Sequence, residues 1–211
     1  MRLVLISSQP VTDLFGKEFP FSDIDCIRRE EFSSEDLTTA DCIIDLTIED
    51  HPTTIDQYRT ATIPILIGSV TFTLKELTTD SQLPIARFNH WPTFINRNCI
   101  EFAVVDNHIE KFQQLFHTLN IPALRTEDEP GFVSARTVCM IVNEAFLARE
   151  EAVSTESEID TAMKLGTSYP IGPFEWCNNI GADRIIRLLH KLAEKDKRYQ
   201  PASSFTETIK N

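Results

Sequence analysis

Short apolar runs punctuate the first 120 residues, separated by polar stretches of helical character. Runs at Arg2–Ser7, Asp25–Ile27, Cys42–Leu46, Ile63–Ser69, Ile85–Phe88 and Cys99–Val105 predict strands. Between them the pattern predicts a turn or helix cap at Phe32–Asp36 and helices at Thr54–Thr60, Leu74–Leu77 and His108–Leu119. The last of these has Ile109, Phe112, Leu115 and Phe116 on one face. Strands that are apolar throughout, rather than alternating, must be covered on both faces. The fold class expected is therefore an open α/β sheet, mostly parallel.

After Pro122 the pattern changes to helix. Phe132–Ala152 carries a broad stripe of Val138, Ile141, Val142, Ala145 and Phe146. Ser154-Thr155 with Glu158 forms a capping box that opens a helix ending at Leu165, with Gly166 as its C-cap. Tyr169–Pro173 is expected to be a rigid turn, Asp183–Lys195 a last helix, and Gln200–Asn211 a loosely held tail. The polar stretch Glu127–Gly131 is the boundary, so the domains expected are residues 1–127, α/β, and 128–211, all-α.

Composition narrows the function. The chain has 211 residues, a formal net charge of -12, five cysteines and only six glycines. A strong negative charge argues against binding to a phosphate backbone, so no nucleic-acid partner is expected. The absence of a long apolar run, together with a short N-terminal one, predicts neither a membrane span nor a signal peptide. Cys26, Cys42, Cys99, Cys139 and Cys177 show no metal-knuckle spacing; reduced thiols, a cytoplasmic location and no metal are expected. Asp45, Glu49, Asp50 and His51 read as a solvated cluster at a strand end.

From Glu129 to Gly181 the sequence resembles the C-terminal domain of the 3-hydroxyacyl-CoA dehydrogenase family. The resemblance is carried by Pro130-Gly131-Phe132-Val133 with Arg136, by Asn143-Glu144-Ala145, by Ile159–Gly166, and by Tyr169–Glu175. It implies a helical domain that packs two subunits together, hence a homodimer, and an acyl-CoA-type small molecule as ligand. The N-terminal half is similar to the family's nucleotide-binding domain in outline, which implies a shortened Rossmann-like α/β domain. Ser69 and Thr71 fall in the loop that touches substrate. Arg87–Pro92 followed by Glu101 resembles the stretch holding a catalytic His–Glu pair. That makes His90 the base and Glu101 its orienting carboxylate, at a spacing of eleven against the family's twelve. Such a pair suits removal of a hydroxyl proton while hydride departs.

Four departures set this chain apart from the family pattern. The turn after the first strand reads Ile6-Ser7-Ser8-Gln9-Pro10-Val11-Thr12, without the glycines that let a backbone approach a pyrophosphate. Arg28 and Arg29 replace the acidic residue expected on the adenosine ribose. Ala135 stands where the family has a substrate-holding asparagine, and the segment before Cys42 is short. No cofactor is therefore expected here, although the family uses NAD. Two functions follow: a 3-hydroxyacyl-CoA dehydrogenase of fatty-acid metabolism, or a homologue that has lost NAD binding and acts as an acyl-CoA-binding or dimeric interaction protein.

Overall fold

The computed structural model describes residues 1–8, 24–95, 97 and 99–207. By internal contacts the chain divides into two units, Met1–Phe132 and Val133–Asn211. The first is built on a sheet of β1 (Arg2–Ile6), β2 (Asp25–Arg29), β3 (Cys42–Asp45), β4 (Ile65–Gly68), β5 (Ile85–Phe88), β6 (Ile100–Val104) and β7 (Ala123–Arg125). Its order is β2-β1-β3-β4-β5-β6-β7. Every neighbouring pair is parallel except β5–β6. The expected Rossmann-like class is thus the one observed.

The strands are apolar on both faces because both are covered. Leu3, Leu5, Ile44, Leu66 and Phe88 pack with Phe102, Phe112 and Phe116 on one side. Val4, Ile6, Ile43, Ile65, Ile67 and Ile85 pack with Ile55, Tyr58 and Leu74 on the other. The covering helices are α1 (Asp36–Thr39), α2 (Leu74–Leu77) and α3 (Ile109–Thr118). The helix expected at Thr54–Thr60 is a 3-10 helix at Pro52–Tyr58 instead. Its β-branched Thr53, Thr54 and Ile55 are poor α-helix formers. The three-residue β7 was not expected from the pattern, because Leu124 points to solvent and leaves no alternation to read.

The second unit holds α4 (Ser134–Glu150), α5 (Glu156–Thr167), α6 (Pro173–Ile180), α7 (Ala182–Ala193) and α8 (Ser203–Glu207). The capping box at the start of α5 forms, with Glu158 N–H donating to Thr155 Oγ1. Gly166, expected as the cap that ends this helix, lies within it, and Ser168 at φ 59° closes it. The expected turn at Tyr169–Pro173 leads straight into α6, with Pro173 in its first turn. Asp160 of α5 caps that helix, accepting from Phe174 N at 2.8 Å and Glu175 N at 3.2 Å. Gly172 is required there, since a β-carbon would lie 2.3 Å from the Asp160 carboxylate.

The tail is not loosely held over its described length. Asn143 of α4 accepts from Ala202 N at 2.8 Å and donates to the Gln200 carbonyl at 3.0 Å. Phe205 is fully buried and stacks on Phe146 with ring centroids 4.1 Å apart. One buried aromatic supplies enough apolar burial to hold a short polar segment.

Candidate functional site

The carboxyl ends of β3, β4 and β5 converge on a buried carboxylate. Glu49, four residues past the end of β3, is only 3% exposed. It accepts from Val70 N at 3.2 Å, Thr71 N at 2.9 Å and the Trp91 indole N–H at 2.9 Å. Three donors make burial of the charge tolerable. The expectation of a solvated cluster fails here for both carboxylates: Glu49 and Asp45 are buried. Asp45 accepts from Thr47 N, Thr47 Oγ1 and Tyr58 OH. Burial raises its pKa above the ordinary carboxylate value, against the pull of those hydrogen bonds.

His90 meets this carboxylate. Its Nδ1 lies 3.7 Å from Glu49 Oε2, and the ring is 5% exposed. Gly68, the last residue of β4, makes room for the ring: a β-carbon there would approach the imidazole to 2.7 Å. Thr71 contributes its backbone N–H to Glu49, and its hydroxyl is buried without a hydrogen-bond partner. The Ser69 hydroxyl donates to the Phe72 carbonyl at 2.9 Å.

Glu101 is placed differently from the expected pair. The antiparallel register of β5 and β6 sets Phe88 opposite Phe102, and its next step sets Asn89 opposite Glu101. Asn89 N–H donates to the Glu101 carbonyl at 3.0 Å, and Asn89 Nδ2 donates to Glu101 Oε2 at 3.3 Å across a separation of twelve. Twelve is the spacing that the resemblance assigns to the His–Glu pair. The residue across from Glu101 is therefore an asparagine, and the neighbouring His90 is associated with Glu49. Successive strand residues point to opposite faces, so a shift of one residue changes the partner.

Beneath the loop lies Arg87 of β5, fully buried. Its guanidinium donates to Asp128 Oδ1 at 2.5 Å, to the Ser69 carbonyl at 3.3 Å and to the Glu129 carbonyl at 2.7 Å, and stands 4.1 Å from the Phe132 ring centroid. Burial lowers its pKa from the usual arginine value, and Asp128 opposes that shift. Gly131, at φ 83°, donates to the Val70 carbonyl at 2.8 Å and so ties the same segment to the loop after β4.

Dinucleotides bind at the carboxyl ends of such a sheet, where the strand order reverses, here between β2 and β3 on either side of β1. Of the turn that should cradle a pyrophosphate, Gln9–Thr12 lies outside the described residues. Ser7 N–H donates to the Arg29 carbonyl at 3.0 Å. At the end of β2, where a carboxylate would accept from the ribose, Arg29 pairs with Asp36 at 2.8 Å. The described part of this crevice thus presents a guanidinium paired within the chain at the place of the ribose carboxylate. Ala135, in the place of the expected asparagine, is fully buried in the helical unit. Among the described residues, no group of three or more His, Cys, Asp or Glu side chains could hold a metal ion. No helix there is long and apolar enough to cross a membrane.

A mostly parallel, Rossmann-like sheet with one reversed strand pair is followed along the chain by a five-helix unit among the described residues. Residues 131–211 match the model of the 3-hydroxyacyl-CoA dehydrogenase C-terminal domain. The helical unit is thus similar to the C-terminal domain of the 3-hydroxyacyl-CoA dehydrogenase family. It is 46% identical over 82 residues to the 3-hydroxyadipyl-CoA dehydrogenase of Escherichia coli strain K12, covering 38% of this chain and 17% of that protein. It is 33% identical over 95 residues to the mitochondrial hydroxyacyl-coenzyme A dehydrogenase of Mus musculus, covering 44% of this chain and 30% of that protein. The matched stretches thus span less than a third of these relatives. The fold is shared more widely. FadB2 of M. tuberculosis superimposes over 88% of this chain and 70% of its own, at a TM-score of 0.73 and 16% identity. The (S)-3-hydroxybutyryl-CoA dehydrogenase of Ralstonia eutropha does so over the same shares, at a TM-score of 0.70 and 22% identity.

Proposed function

We propose that this protein is a non-catalytic member of the 3-hydroxyacyl-CoA dehydrogenase class of oxidoreductases, acting as a homodimeric acyl-CoA-binding protein. The observation that carries this reading is the cross-strand pair of Asn89 and Glu101. A carboxamide cannot accept a proton near neutrality, so the residue directly across the strand pair from Glu101 is not itself a base. Loss of the glycine turn and the Arg29–Asp36 pair favour the same reading. The names of the relatives support an acyl-CoA as the ligand class.

Dimerisation is supported by the helical unit. An apolar groove of about 580 Å³ is lined by Met140, Ile141, Ala145, Ile159 and Met163 with Tyr199. Apolar surface of this kind gains free energy when a second copy covers it. The five free cysteines support residence in a reducing compartment such as the cytoplasm.

A second reading rests on the His90–Glu49 approach at 3.7 Å, which supplies a base and an orienting carboxylate from a different strand end. In that reading the protein is an oxidoreductase acting on a 3-hydroxyacyl-CoA. Calorimetric titration with acetoacetyl-CoA, beside light scattering, tests the proposal. Saturable binding by a dimer is expected, whereas no binding together with a monomer at micromolar concentration contradicts it.

A further inference from the structure

The nucleotide crevice is not merely short of glycine; its described walls are bonded to each other. At the end of β2, Arg29 Nε donates to Asp36 Oδ1 at 2.8 Å, and Ser33 N–H donates to Asp36 Oδ2 at 3.1 Å. The Asp36 side chain is 0% exposed, while that of Arg29 is 37% exposed. Three residues past Arg29, the Phe32 ring meets the Tyr58 ring edge-on, with centroids 5.1 Å apart. The Tyr58 hydroxyl donates to Asp45 Oδ2 at 2.8 Å at the end of β3. Both Asp45 oxygens are engaged, since Thr47 N–H and hydroxyl bond Oδ1 and Gln57 Nε2 reaches Oδ2 at 3.3 Å.

We infer that the adenosine end of the crevice is closed by the chain's own side chains, with Asp36 serving as an internal ligand for Arg29 and the Phe32–Tyr58–Asp45 contacts filling the reversal point beside it. A guanidinium at the end of β2 would ordinarily recommend a ribose phosphate. Here the guanidinium neutralises a carboxylate that has no water to turn to. Releasing Arg29 to a phosphate would strand that carboxylate in the interior. The pairing is therefore a requirement of folding, and a 2′-phosphate competes poorly for it. Asp45 in turn has no free oxygen with which to accept from a ribose. The inference rests on residues other than Asn89 and Glu101, so the two readings stand or fall separately.

The test is a titration of the full chain with NADH and, separately, NADPH, followed by amide chemical shifts. Closure predicts no saturable shift at Ser7, Arg29, Ser33 or Asp36 up to about 1 mM of either nucleotide. A saturable shift at those amides overturns it, whatever the protein does catalytically. Turnover of NADH without such shifts would sink the non-catalytic reading and leave the closure intact. A second arm uses Arg29→Ala. The variant is expected to melt below the wild type, and the double variant with Asp36→Asn to recover most of the difference, because the stranded carboxylate is then gone. An equal deficit with and without Asp36→Asn, or none in either variant, contradicts the role given to Asp36.

Discussion

The imidazole of His90 occupies the space that a β-carbon on Gly68 would need, with the ring 2.7 Å from that position. Gly68 ends β4, and the β4–β5 register sets it beside Phe88, two residues before His90. The glycine is a packing requirement of the histidine, with no need for an unusual backbone angle.

Gly68→Ala should therefore destabilise the protein by about 1–3 kcal/mol, the usual cost of overpacking a tight site. Removing the ring should relieve it. In a double-mutant cycle by urea unfolding, Gly68→Ala combined with His90→Ala should lose less than the sum of the two single changes. Simple additivity would mean that the ring and the glycine do not constrain each other.

Arg87 presents a larger expected effect. Its guanidinium reaches Asp128, Ser69 and Glu129 from a position with no exposure. Arg87→Met should cost about 3 kcal/mol in urea unfolding, near the low end for a broken buried pair, because Asp128 keeps some contact with water. Arg87→Lys should not restore stability, since a single ammonium cannot serve three separated acceptors as a planar fork does. Full rescue by lysine would show that charge alone matters there.

The start of α5 carries a pH dependence of defined sign. The Glu158 carboxyl is held down to about 2, first by the Ser154 hydroxyl and then by the Thr155 N–H and hydroxyl. A lowered folded-state pKa means that the stabilisation is fully present above the ordinary carboxylate value of 4.5, and is lost as pH falls toward about 2. Wild type and Glu158→Gln should differ in melting temperature near about pH 6 and converge near about pH 2. A difference that persists unchanged at the acid end would contradict the carboxylate's role.

The sheet was legible because its central strands carry continuous apolar runs, a pattern that two-sided burial explains, as Leu3–Ile6 and Cys42–Ile44 illustrate. The helical unit was legible through its architecture-bearing residues, of which Asp160 and Gly172 prove to be a cap and the close approach it demands. Glu49 was not legible. In sequence it stands between Asp45 and His51 like any solvated acidic cluster, and its burial depends on Val70, Thr71 and Trp91, which are 21 to 42 residues away. The bond between Asn89 and Glu101 was not legible for a related reason. An interstrand loop does not declare its register, and the one available signal was a spacing of eleven to His90 where twelve leads to Asn89. The tail looked polar and free because Phe205 is a single apolar residue whose receptor, Phe146, lies on another helix.

The account turns on whether an asparagine across from Glu101 leaves the site without a working base. The most direct measurement is the rate of NADH oxidation by the purified full chain with acetoacetyl-CoA as acceptor, beside His90→Ala and Glu49→Gln. The predicted result is a rate no greater than that without protein, in the wild type and in both variants. A saturable wild-type rate that disappears in His90→Ala would contradict the account and make His90, held by Glu49, the base of a functioning dehydrogenase.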